Sequence, residues 1–399
     1  MKRAIAILAV ALAGALPAIS QSLDDLNIQI HGYATQGFLY STQNNFFTTS
    51  SSNGSPAWSE AVFNVSSQPD PKLRVAVQAR YFMLGNYGNE ITLDWAMADY
   101  KFNDKLGVRF GKVKTPIGLW NELQDIDPSY IWSLLPQGVY PIGSRNSLLS
   151  HYGGVAYGTY NLGQSMGKLD LRAFGGERVI GSSDGVVLPQ REAGMVLPNG
   201  VTGAFFGGAL RWNTPLAGLM VGASDNSQLA MINPITFTIP AGPIAGTYAG
   251  TQHLSPFNEF NYFGKYEKNK VMVAGEYTRL PVHVLLTYPL PVGVIPIKND
   301  QHTWYGMASY KVTGKLTAGV YDSQYVIHSA PLGPARYSKD WAISGRYDFS
   351  QFLYAKAEQH FVEGTALDYD ADMNPATAAL PTGLHTNSKL TILKVGVSF

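Results

Sequence analysis

Cysteine is missing from all 399 residues, which removes thiol nucleophiles, Cys-ligated metal sites and disulfide staples from the chemistry this chain can perform. Charge is scarce as well, at 14% of residues, and its two signs nearly cancel, with 29 basic against 28 acidic side chains. No bulk basicity therefore points to nucleic acid. Beyond the first twenty residues there is no uninterrupted apolar run long enough for a spanning helix. The eight histidines are scattered without metal-ligand spacing, and Ser150-His151, the one adjacent Ser-His pair, has no acidic residue forced beside it. These absences argue against an enzyme, and no cofactor is implied.

The exception to the missing apolar runs is at the start. Lys2 and Arg3 precede an apolar stretch from Ala4 to Leu16 and a small-residue site at Ala18-Ile19-Ser20, the pattern of a cleaved export signal over residues 1–20. Mature numbering would then begin at Gln21, leaving one domain over 21–399 that carries 27 basic residues once Lys2 and Arg3 are gone. No cysteine follows the stretch to accept a lipid anchor.

What the chain does have is glycine (41), tyrosine (23), phenylalanine (18) and tryptophan (7), a mixture suited to strands and turns. Its apolar residues alternate in segments of about ten, the signature of a transmembrane β-barrel. In Lys72–Tyr81, Leu73, Val75, Val77, Ala79 and Tyr81 are expected to face lipid, with Arg74, Ala76, Gln78 and Arg80 inside. Since a charge in mid-membrane lipid costs ~2–4 kcal/mol, the one-residue slip is disfavoured. The same dyad recurs at Leu169–Ala173, Trp341–Phe349, Leu353–His360 and Thr391–Phe399. Ile91–Phe102 and Leu106–Lys114 slip phase, which predicts bulges.

Sixteen candidate strands emerge, near 28–41, 57–68, 72–83, 90–102, 105–115, 151–162, 167–178, 203–213, 217–228, 257–267, 270–280, 302–312, 315–327, 337–348, 351–363 and 388–399. Short and long connections alternate, as periplasmic turns and external loops do. Two aromatic girdles are expected: Tyr40, Trp58, Tyr81, Trp304, Tyr325 and Trp341 at the outer interface, and Tyr100, Phe102, Trp212, Tyr347 and Tyr354 at the inner one.

The chain ends in Phe399 after Val395 and Val397 at alternate positions, which resembles the assembly signal of Gram-negative outer-membrane proteins. The passage Arg109-Phe110-Gly111-Lys112-Val113-Lys114-Thr115-Pro116-Ile117-Gly118-Leu119 follows the fifth candidate strand and leads into a connection reaching Ser150. It resembles the approach to the third external loop of the porin superfamily, over about forty positions. The resemblance implies a 16-stranded antiparallel transmembrane barrel in the Gram-negative outer membrane, with an inward-folded third loop over 115–150. It also implies a homotrimer, surrounded by outer-membrane lipid and lipopolysaccharide and delivered by the barrel assembly machinery.

Within that loop, Asp127 and Pro128 are placed to start a short helix running to about Leu135. Glu122, Asp125 and Asp127 are expected to face Arg74, Arg80 and Arg109 across a pore constriction, whose ring charge and diameter would set selectivity. Solvated rim charges are the alternative. Asp368, Asp370 and Asp372 alternate like calcium ligands, but Met373 and Ala379 stand where such a loop needs Gly and Glu, so a solvated external loop is the expectation. Two connections, 229–250 and 280–297, are apolar and proline-rich. They form a vestibule, an oligomer contact or a packing against their own barrel mouth. The sequence thus points to a water-filled channel for small hydrophilic solutes or ions. Two alternatives stay open: a channel selecting amphipathic or aromatic molecules, and a receptor or adhesion barrel.

Overall fold

The computed structural model describes residues 26–399, so the export signal expected over 1–20 lies outside the described residues. Sixteen antiparallel strands form one closed barrel: β1 Gln29–Ser41, β2 Ser55–Asp70, β3 Leu73–Leu84, β4 Asn89–Asn103, β5 Leu106–Lys114, β6 Ser150–Asn161, β7 Lys168–Ile180, β8 Val201–Asn213, β9 Leu219–Gln228, β10 Phe257–Lys268, β11 Val271–Thr287, β12 Val294–Lys311, β13 Leu316–Ile327, β14 Tyr337–Asp348, β15 Leu353–Gly364 and β16 Asn387–Ser398. Each pairs with its neighbours in sequence. β16 returns to β1 in the register Tyr33↔Ser398 to Ser41↔Leu390. Phe399 extends the seam, donating its N–H to the Gly32 carbonyl (3.0 Å) and accepting from the Gly32 N–H (3.1 Å). A hydrocarbon environment offers no water to an open edge, so this last pairing makes the sheet viable there.

Alternation does what period two requires. On β3, Ala76, Gln78, Arg80, Phe82 and Leu84 point inward and are buried, while Val75 stays 47% exposed on the outer face. On β15, Tyr354, Lys356, Glu358, His360 and Val362 all point inward. Most girdle aromatics face outward, among them Tyr40, Trp304, Trp341, Tyr100, Phe102, Trp212 and Tyr347. Trp58, Tyr325 and Tyr354 do not: they are buried inside the lumen, because an inserted loop gives them something to pack against.

The expected bulge in β4 exists. Opposite Gln78 and Ala79 the register gains one residue, and both Asp94 and Trp95 turn inward as a result. A second shift at Phe102 faces the start of β5. β5 itself runs unbroken along β6, so no bulge lies within Leu106–Lys114. Its apparent slip comes from Lys112, whose ammonium is held 5.6 Å above the exposed Tyr152 ring.

The apolar segments at 229–250 and 280–297 are largely strand. Met231–Ile239 pairs with Gly246–Leu254 as an external hairpin, and β11 and β12 extend past the barrel to Thr287 and Val294. Val187, Met195, Leu197, Val201, Met231, Ile235, Leu286 and Tyr288 form one cluster among them, so these segments pack against each other, while Ile232, Leu290 and Val294 stay exposed.

This register yields a direct comparison. Leu393 lies on the outer face, paired with Phe38 and Ala357 between the two girdles, and is 51% exposed to the surroundings. Asn64 faces an interior cavity. Leu393→Arg is expected to cost ~2–4 kcal/mol in urea unfolding from lipid vesicles, and Asn64→Arg well under 1 kcal/mol. Equal losses would mean that the two faces are misassigned.

Candidate pore constriction

The connection between β5 and β6, residues 115–149 (L3), folds into the barrel and is bonded to its wall on nearly every side. Gly118 begins the descent with φ +59°, and a Cβ there would stand 2.4 Å from Glu276 Oε1 and 2.6 Å from the Tyr140 hydroxyl, so only glycine fits. The Gly118 N–H donates to Ser224 Oγ on β9 (2.9 Å). Glu276 on β11 gathers the next contacts: the hydroxyls of Tyr140 and Tyr305 donate to its carboxylate at 2.6 and 3.0 Å, and Tyr140 Oη accepts the N–H groups of Leu119 and Trp120. Around this knot Leu119, Trp120, Trp132, Leu135 and Tyr140 pack on Phe263, Tyr305, Met307 and Tyr321 of the far wall.

The three loop acids occupy three different settings. Glu122 is the shared counter-ion of three arginines on separate strands: Arg109 of β5 (3.6 Å), Arg172 of β7 and Arg211 of β8 (3.2 Å). All four side chains keep 14–25% of their surface exposed. Asp125 is fully buried, taking bonds from Lys114 (2.7 Å), Gln78 (2.9 Å) and Trp95 (3.0 Å). Asp127 lies between two buried lysines, Lys356 (3.0 Å) and Lys394 (2.6 Å), and accepts from the Tyr354 hydroxyl (2.7 Å).

Those lysines explain why the expected helix does not form. A capping Asp127 must offer its carboxylate to the N–H groups that follow, but β15 and β16 have claimed it. Only a three-residue 3-10 turn, Asp127–Ser129, remains, without a side-chain cap. Beyond it the Ser133 and Leu134 N–H groups donate to the Glu358 carboxylate at 3.0 Å each. Glu358 is buttressed by His360 Nε2 (2.9 Å), whose Nδ1 meets Asp340 (2.9 Å). At the far end Arg145 clamps Asp94 through two 2.8 Å bonds, using the carboxylate that the β4 bulge turned inward.

Of the expected basic partners, Arg109 reaches a loop acid and the others do not. Arg80 is buried against Glu60 of β2 (2.6 Å) and lies over the Phe82 ring. Arg74 lines a periplasm-side cavity of about 510 Å³ and has no ion-pair partner among the described residues. Between L3 and the wall bearing Glu60, Arg80 and Lys394, a cavity of only about 40 Å³ remains, room for about one water. Arg172, Arg211, Lys356 and Lys394 were not expected as partners. Strand parity marks each as inward, but pairing them with particular loop acids needs the path of L3.

Removing the carboxylate of Asp127 would leave Lys356 and Lys394 buried without an anion. Asp127→Ala is expected to cost ~3–5 kcal/mol and to free the loop, read as new protease cleavage within 120–140 and a larger single-channel conductance. Cleavage and conductance like those of the parent protein would mean that the loop is anchored elsewhere.

Outside the membrane, Asp368, Asp370 and Asp372 do not converge. Asp370 Oδ1 caps its own turn, accepting from the N–H groups of Asp372 and Met373, and no group of three such side chains among the described residues is arranged to hold a metal. Asp370 and its neighbours instead meet Glu192 of the loop at 181–200, whose carboxylate accepts from the Ala371 N–H (3.4 Å). Burial, with Asp370 and Asp372 adding to it, pushes the Glu192 carboxyl up to about 7. Burial and then Asp340 push Asp368 up to about 8. Both groups bind protons more tightly in the folded barrel than in the free chain, so their contribution is complete below the ordinary carboxylate range and is lost as pH rises through 7 to 8. Hydrogen exchange across 188–193 and 366–374, corrected for intrinsic rates, should be faster at pH 8.5 than at pH 5. Equal or greater protection at pH 8.5 would contradict this sign.

No protein-family model matches the chain, and no curated protein matches it in sequence. Solved structures do match it in shape. OmpF of Salmonella typhi superposes with a TM-score of 0.58 at 13% identity, covering 95% of this chain and 99% of that one. The anion-selective porin of Comamonas acidovorans gives 0.53 at 11% identity over 93% and 99%. The outer-membrane channel DcaP of Acinetobacter baumannii gives 0.51 at 10% identity over 95% and 99%. At these identities the shared property is the fold: the chain forms a closed, 16-stranded antiparallel β-barrel like those of these outer-membrane proteins.

Proposed function

We propose that this barrel is a passive outer-membrane channel in which small hydrophilic solutes and ions cross a lumen narrowed by L3. The observation that carries the reading is the meeting of Arg109, Arg172 and Arg211 on Glu122, four partly exposed side chains where inserted loop meets barrel wall. Fixed charges in a low-dielectric passage focus the field along it, and their sum biases which ions enter. In this reading Asp125, Asp127 and Arg80 hold the frame of the narrowing, while Glu122, Arg74 and Arg109, joined by Arg172 and Arg211, set its field. Lipid and lipopolysaccharide would surround the apolar belt, the assembly machinery would read the Phe399 strand, and three copies would associate. OmpT of Vibrio cholerae, of similar fold, is described in a trimer form.

The test is the reversal potential of the folded protein across a salt gradient in planar bilayers. Glu122→Gln removes the one carboxylate that three guanidinium groups share, so selectivity should move toward anions. The change should shrink at high salt, since the Debye length falls from ~10 Å at 0.1 M to ~3 Å at 1 M. An unchanged reversal potential would place Glu122 outside the conducting path, and absence of current from folded protein would sink the channel reading itself.

A further inference from the structure

We propose that the cavity beneath L3 binds a small solute that joins a carboxylate to an apolar or aromatic body, and that Glu122 fills its anion subsite while the solute is absent. The proposal deepens the channel reading, on which its role in transport rests. A carboxylate already sits in the subsite. Three guanidinium groups converge on Glu122, and only Arg109 spends a bond elsewhere on an acid, donating to Asp99 (2.9 Å). Arg211 Nε is buried with no hydrogen-bond partner. Asp99 beside Arg109 and Asp170 across from Arg211 offset part of this charge, but the three guanidinium groups still direct donors at one tethered carboxylate, and they can take a carboxylate from solution in its place.

The cavity of about 510 Å³ lies within the range that holds a small ligand; Glu122 and Arg109 are on its lining, and Arg172 and Arg211 reach Glu122 from behind it. Arg74, which has no ion-pair partner among the described residues, supplies a second cation there. The other ionisable side chains on the lining are Lys114 and Asp125, which pair at 2.7 Å, and His31. The rest of the lining is largely apolar, with Tyr33, Val62, Trp95, Met97, Ile126 and Pro128. A neutral aromatic gains only a weak cation–π contact from the arginines, and a bare carboxylate gains nothing from the indole and thioether. A molecule with both parts uses both, provided that it displaces Glu122.

That competition makes the test sharp. Benzoate, benzamide and acetate are titrated calorimetrically into the folded, detergent-solubilised full barrel, with heat-modifiability as the folding control. Benzoate should bind at least about tenfold more tightly than either analogue. Glu122→Gln should tighten benzoate about tenfold by removing the competitor and leave benzamide where it was. Arg74→Gln, at an exposed side chain outside any ion pair, should weaken benzoate about tenfold and serves as the second variant should the first fail to fold. Equal binding of benzoate and benzamide would overturn the proposal, as would a Glu122→Gln barrel that binds benzoate no better than the parent. Ion conduction in bilayers without benzoate binding would sink this inference alone. Benzoate binding without conduction would sink the channel reading and leave the site standing.

Discussion

Everything in this molecule follows from the need to leave no backbone polar group bare in lipid. The pairing of β16 with β1, continued by Phe399 on Gly32, turns sixteen marginal strands into one sheet without an edge. Closure then divides the side chains: except where a bulge such as Asp94-Trp95 shifts the phase, odd and even positions along a strand belong to different solvents. The outer set has to be apolar, and the inner set becomes free to carry charge. The buried acids and bases of the lumen are a consequence of that freedom.

The lumen uses its charge mainly as mortar. Lys356, Lys394 and Asp127, or Arg145 and Asp94, are pairs withdrawn almost completely from water, and breaking one member strands the other. Such pairs do little for net stability compared with apolar packing, but each accepts only one geometry. Together with Glu276 and Glu358, which take N–H groups or hydroxyls from the loop, they give thirty-odd mostly irregular residues a single path through the barrel.

The strands were legible because period two is written into each of them separately. Even β4 signalled its bulge, through an alternation that slips between Ile91 and Phe102, and the structure places it at the inward pair Asp94 and Trp95. The loop was legible in position but not in conformation. Asp127-Pro128 has the local grammar of a helix start, and local grammar loses to two lysines more than two hundred residues away. Arg80 was rightly read as inward, but its partner depends on which residues of β2 lie beside it, a matter of register rather than composition. Trp58, Tyr325 and Tyr354 were assigned to the girdles for a related reason: at a strand end an aromatic suits either face, and only the presence of L3 makes the inner one dry.

The distinction between mortar and field also separates the three loop acids, which the sequence presents as equivalent. Asp125 and Asp127 have lost their water, so their charges are spent on fixed neighbours and add little to the field in any open part of the lumen. Glu122 retains part of its exposure and faces three cations that it cannot neutralise. A small imbalance of charge at a partly wet site acts over about a Debye length, whereas a large but balanced charge in a dry one does not. In the proposed channel, selectivity would therefore depend less on how many charges line the lumen than on the one carboxylate outnumbered by its partners.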